Sequence, residues 1–91
     1  MKRWTQVFRA LANMSRLRII KLLSDGRERH VSGIAQQIHV TFRGTSQHLI
    51  LLSNLNILKN EGRDGHVYYS LNDRMPKDAK RAIALFLNRT V

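Results

Sequence analysis

The chain has no cysteine, a single proline, and only six Asp and Glu to set against sixteen Lys and Arg in 91 residues. Without cysteine there is no disulfide, no thiolate metal site and no thiol redox switch. The apolar runs are too short for a membrane span, and in the stretch after Met1-Lys2-Arg3 the residues Gln6 and Arg9 interrupt what a secretory leader would need. There is no Gly-rich phosphate loop, no nucleophile elbow and no recognisable Ser/His/Asp arrangement or carboxylate pair, which argues against an enzyme. Asn13-Met14-Ser15 and Asn88-Arg89-Thr90 match the glycosylation pattern, but that pattern carries meaning only behind a secretory signal. Repeats, low-complexity tracts and linkers are also missing. The expectation is one soluble, cytoplasmic domain spanning 1–91, with no cofactor and no metal.

What is present is positive charge. The formal balance is +10, which suits a polyanionic partner. Residues 1–30 carry eight basic and two acidic groups, 31–60 only Arg43 and Lys59, and 61–91 six basic and four acidic. The excess therefore flanks the middle of the chain. That distribution fits flanking segments that hold phosphates while a few central side chains reach base edges. A generally solvated basic surface would give the same totals.

Trp4, Val7, Phe8 and Leu11 recur at helical spacing on one stripe of a first helix. The stripe can be covered by the domain's own core, by a second subunit or by a lipid surface. Asn13 is placed to cap a second helix over about 14–24, with Leu17, Ile20 and Leu23 inward, Arg16, Arg18 and Lys21 outward, and Asp25-Gly26 as the stop. Ser32 can cap a third helix that buries Ile34, Ala35 and Ile38, with His39-Val40 as the following turn. Thr41 then caps a fourth helix over about 42–54. On a wheel of 100° per residue Phe42, Thr45 and Leu52 lie within about 60° of Leu49 and form with it the core face of the helix. Arg43, Gly44, Gln47 and Asn54 fall opposite, with Ser46 and Ile50 at the margin.

Asn56 tolerates the left-handed conformation that ends a helix. Ile57-Leu58 opens a strand and Val67, Tyr69 and Leu71 alternate with Tyr68 and Ser70 on its return, around a turn from Glu61 to His66 with Arg63 at the tip. Pro76 starts a last helix over about 76–89, with Ala79, Ile83, Phe86 and Leu87 as an apolar stripe. The order is that of a winged helix-turn-helix: mainly α, about five helices and a two-stranded wing. A core this small is marginal alone, so a homodimer is expected, with Trp4, Val7, Phe8, Leu11, Ile83, Phe86 and Leu87 at the interface.

Ala10-Leu11-Ala12-Asn13-Met14-Ser15-Arg16-Leu17-Arg18-Ile19-Ile20 resembles the opening of ArsR-type winged-helix repressors, Ala-Leu-Ala-Asp-Pro-Thr-Arg-Leu-Arg-Ile-Leu. Ser46-Gln47-His48-Leu49 with Leu52 is similar to that family's Ser-x-His-Leu-x-x-Leu pattern, and Gly65-His66-Val67-Tyr68-Tyr69-Ser70-Leu71 to its wing strand. The resemblance covers about residues 8–72. It implies a dimeric transcriptional regulator, paired through its first and last helices, that binds a palindromic operator and often represses its own operon. Asn54-Leu55-Asn56 and Ile50 depart from the family pattern. So do His30-Val31-Ser32, which stand where the metal-responsive branch has Cys-Val-Cys, and the last helix, which has Asp78 but no His. A lone His30 is a poor metal cage.

An α-helix fits the major groove of double-stranded DNA, where Arg pairs with guanine and Gln with adenine. Arg43 and Gln47 are the expected readers. Gly44 would allow close backbone approach, and Thr41, Thr45 or Ser46 could donate to phosphate. Arg63 is expected at the minor groove or a phosphate, against local pairing with Asp64 or Glu61. His48 is expected to pack and hydrogen-bond within the helix pair. A winged-helix module that binds a protein through exposed Ile50 and Leu51 is the alternative, since fold does not fix function. Sequence-independent binding of DNA or RNA is a third reading.

Overall fold

The computed structural model describes residues 2–89. Met1 and Thr90, part of the leader and glycosylation readings, lie outside them. Among the described residues the order is α1 (Lys2–Leu11), α2 (Met14–Leu23), β1 (Arg29–His30), α3 (Val31–Ile38), α4 (Phe42–Asn54), β2 (Leu58–Arg63), β3 (His66–Leu71) and α5 (Lys77–Arg89). This is a winged helix-turn-helix. The sheet has three antiparallel strands in the order β1-β3-β2 rather than the two expected. The third is the two-residue β1, in which Arg29 pairs with Tyr69 and His30 with Tyr68. Two residues carry no readable alternation, which is why periodicity passes over them.

Local chemistry sets the boundaries. The Asn13 side chain accepts from Arg16 N and caps α2. The cap of α3 is His30 instead of Ser32: its Nδ1 accepts from Gly33 N at 3.1 Å. His39, with φ 58°, forms the left-handed turn between α3 and α4. Asn56 takes φ 61° after α4, as its residue type suggests. The wing turns on Asp64 and Gly65, at φ 52° and 78°, the paired left-handed geometry of a tight two-residue hairpin. Arg63 is therefore the last ladder residue, opposite His66, and not the tip.

The core runs through Val7, Ala10, Ile19, Ile20, Leu23, Ile34, Ile38, Leu49, Leu52, Ile57, Leu58, Tyr69, Ala79 and Ile83. In α2 the fully buried residues are Ile19, Ile20 and Leu23, with Leu17, expected inward, only partly covered. Arg16, expected to point outward, is half-buried and donates to Ala10 O and Arg9 O, tying α2 back to α1. Phe42, expected in the core, is exposed, because the first turn of α4 projects past the interior that begins at Thr45. The terminal helices are joined by Arg3, whose Nε donates to Asp78 Oδ2 at 3.0 Å while its Nη2 donates to Leu55 O at the end of α4. A cation beside a helix C-terminus is favourably placed.

Candidate nucleic-acid interface

α4 is fixed from below. Thr41 Oγ1 accepts from Gly44 N at 3.0 Å, and the buried Thr45, Leu49 and Leu52 lock the helix rotation against the core. Rotation decides the rest: Arg43 and Gln47 are exposed on the opposite side, with Ser46 half-covered at the margin. Gly44 has an intramolecular reason to be glycine, since a Cβ there would stand 3.1 Å from both Thr41 Oγ1 and Val40 Cγ1. Thr45 is 0% exposed and its hydroxyl has no partner among the described residues, so it has no surface to offer a phosphate. A side chain in the core stripe cannot also face a groove, and the periodicity that put Thr45 inward was the better guide.

His48 lies between these faces. Its Nδ1 meets Arg16 Nη1 at 3.3 Å, and burial first, Arg16's charge second, push the imidazole below its ordinary value. Burial and the α2 cation thus favour the neutral imidazole over the charged one.

Beside α4 stands the wing, and between them Phe42, Ser46, Ile50, His66 and Val67 line a groove of about 300 Å³. Arg63 is turned toward the sheet edge, where its Nη2 donates to Glu28 Oε1 and its guanidinium lies 4.5 Å from the Tyr68 ring centroid. The Glu28 bond is the main reason its pKa is raised. Glu28 escaped the sequence reading because it lies 35 residues away, and only the β1-β3 pairing brings it near. His30 and His66 have ring centroids 5.5 Å apart, and no group of three or more His, Cys, Asp or Glu is assembled among the described residues.

On another face α1 and α5 leave a groove of about 680 Å³ lined by Trp4, Phe8, Leu11, Ala82 and Leu85. Trp4 and Phe8 stack at 5.5 Å. Phe8 is 56% exposed and Leu85, which the sequence reading passed over, 61%. Val7 and Ile83, expected at the interface, are buried within the protomer instead, at 0% and 3% exposed. They are the positions on each helix that face the chain's own interior. Phe86 and Leu87 are half-buried against the core edge. No helix of the described residues is long and apolar enough to cross a membrane.

No family model matches the chain. It is 26% identical over 83 residues to the transcriptional repressor SdpR of Bacillus subtilis (strain 168), covering 91% of each. It is 39% identical over 72 residues to a cadmium resistance transcriptional regulatory protein CadC homolog of Staphylococcus aureus, 79% of this chain but only 60% of that relative's length. Among solved structures it superposes on the homodimeric winged helix-turn-helix DNA-binding domain Mb0332 of Mycobacterium bovis, described as a possible ArsR-family transcriptional regulator. There the TM-score is 0.77 and the identity 28%, covering 93% of this chain and 75% of that one. The helix order, the capped fourth helix, the wing and these relatives agree with the three motif blocks: the chain has the winged helix-turn-helix fold and is similar to ArsR-type transcriptional regulators.

Proposed function

We propose that the chain is a homodimeric, sequence-specific regulator of transcription that represses by binding a palindromic operator in double-stranded DNA. The observation that carries this reading is the rotation of α4. Its underside is fixed by Thr45, Leu49 and Leu52, so Arg43 and Gln47 project together from the first turns. The N-terminal residues of such a helix are the ones that reach base edges. Arg43 would pair with guanine and Gln47 with adenine. Thr41, Ser46 and the backbone at Gly44 would hold phosphate oxygens, with Arg63 of the wing contributing once it exchanges Glu28 for a phosphate. The single domain would dimerise through Trp4, Phe8, Leu11, Leu85, Phe86 and Leu87, setting the half-sites about one helical turn apart. Such a protein acts in the cytoplasm, as a binding protein and not an enzyme, with no cofactor.

Selection of bound duplexes from a random pool tests this directly. The expected result is a two-fold symmetric consensus. Arg43→Ala and Gln47→Ala should each cost about 1–3 kcal/mol on it and relax the preference at one position. Unselective, salt-sensitive binding would mean a general nucleic-acid binder. Salt-insensitive capture of a protein, with no duplex enriched, would favour the interaction module that exposed Ile50 and Leu51 suggest.

A further inference from the structure

Phe42 is the first residue of α4 and lies about 20° from Leu49 on the helical wheel, yet it is 59% exposed while Leu49 is fully buried. It is not an isolated apolar surface residue. Ile50, two turns further on, and Val67 of the wing are exposed as well, and all three border the same groove between α4 and β3. A patch of this kind, bordering the face that carries Arg43 and Gln47, needs an apolar counterpart within a polar partner.

The duplex offers one. Among the groups displayed in the major groove the C5 methyl of thymine is the apolar one, and a Phe ring is a suitable contact for it. Position along the helix selects Phe42 over Ile50. An entering helix touches bases with its N-terminal residues, and Ile50 lies about 12 Å further along the axis. Phe42 sits between the capping Thr41 and Arg43, at the end that would go in first.

We propose that Phe42 is a specificity-determining residue that packs its ring on the C5 methyl of a thymine in each half-site. The inference rests on the DNA-binding function proposed above and names one element of the sequence that α4 would prefer. The site also keeps its geometry without the ring, because the Thr41 Oγ1 to Gly44 N bond and the buried Thr45 hold the first turn.

The test uses the consensus selected from the random pool, resynthesised with deoxyuridine at each thymine in turn. That change removes the methyl and leaves every hydrogen-bonding edge intact. The intact protein should lose about four-fold in affinity at one thymine per half-site, the equivalent of one buried methylene-sized group. Phe42→Ala should bind thymine and uracil operators equally, and Phe42→Gln should do the same should the alanine variant bind too weakly to titrate. Uracil tolerated at every position by the unmodified protein overturns the proposal, as does the same thymine preference kept by either variant. A consensus with no thymine also overturns it while leaving the DNA-binding function standing. A pool that yields no consensus overturns both.

Discussion

Arg63 on the last rung of the wing donates its Nη2 to the carboxylate of Glu28, just before β1, and covers the Tyr68 ring at the same time. The wing cation is therefore paired within its own chain, with Glu28 as its hydrogen-bonded partner and not Asp64 or Glu61, of which Glu61 adds only a lesser attraction. A phosphate approaching the wing has to compete with Glu28.

Removing that competitor should tighten binding. Glu28→Gln is expected to raise affinity for all duplexes alike, by at most about five-fold, the range of an exposed ion pair. Arg63→Ala should cost more in that background than in the unmodified protein, a coupling that a double-mutant cycle reads directly. Weaker binding by Glu28→Gln would mean that the carboxylate organises the wing for contact instead of masking it.

The exposed and buried members of the α1 and α5 stripes should behave differently. Phe8→Glu or Leu85→Glu places a charge on the open groove and should yield a folded monomer, seen by light scattering with an unchanged helical spectrum. Val7→Glu places the charge in the core and should unfold the protomer, because an unpaired buried charge is strongly destabilising. A dimer surviving both surface substitutions would move the interface elsewhere.

Asp78 is held below its ordinary value of 3.8, chiefly by the hydrogen bond from Arg3. A carboxylate whose pKa falls on folding contributes stability that is complete above the unfolded value and is lost as pH falls through the folded one. Denaturant titrations should therefore show stability declining below about pH 4. Asp78→Asn should flatten part of that decline, leaving the shares of Asp25, lowered mainly by the Arg27 backbone, and Asp73, lowered mainly by Lys59. An unchanged profile in the variant would remove the Arg3 contact from the account of acid stability.

His48 should titrate below its usual 6.5 in NMR spectra of the folded chain, burial being the larger cause and Arg16 the smaller. Arg16→Gln should raise that value only part of the way back. Because the folded pKa is depressed, the associated stability is full above 6.5 and falls as pH drops toward the folded value. Complete recovery in Arg16→Gln would assign the shift to charge instead of burial.

Local determinants account for what was legible in the sequence. Thr41 and Asn13 as caps, Asn56 as the left-handed end of α4, and the five helices follow from interactions within three or four residues. Strand alternation and the two-glycine turn gave the wing, though not its tip. β1 was not legible, because two residues become a strand only when β3 supplies the hydrogen bonds. The His30 cap was missed for a related reason, since imidazole is an uncommon cap and Ser32 offered the usual hydroxyl.

The chain's own residues determined the winged-helix order, the inward set of α4 and hence the outward direction of Arg43 and Gln47, because helical period and capping act over one turn. Only the tertiary structure decided that Phe42, grouped by the wheel with the inward set, is exposed, that Val7 and Ile83 belong to the protomer's interior, and that Arg63 is paired with Glu28. Those outcomes depend on where a helix end passes the edge of the core and on which strand lies beside which. Distance in space sets both, and spacing along the chain does not encode it.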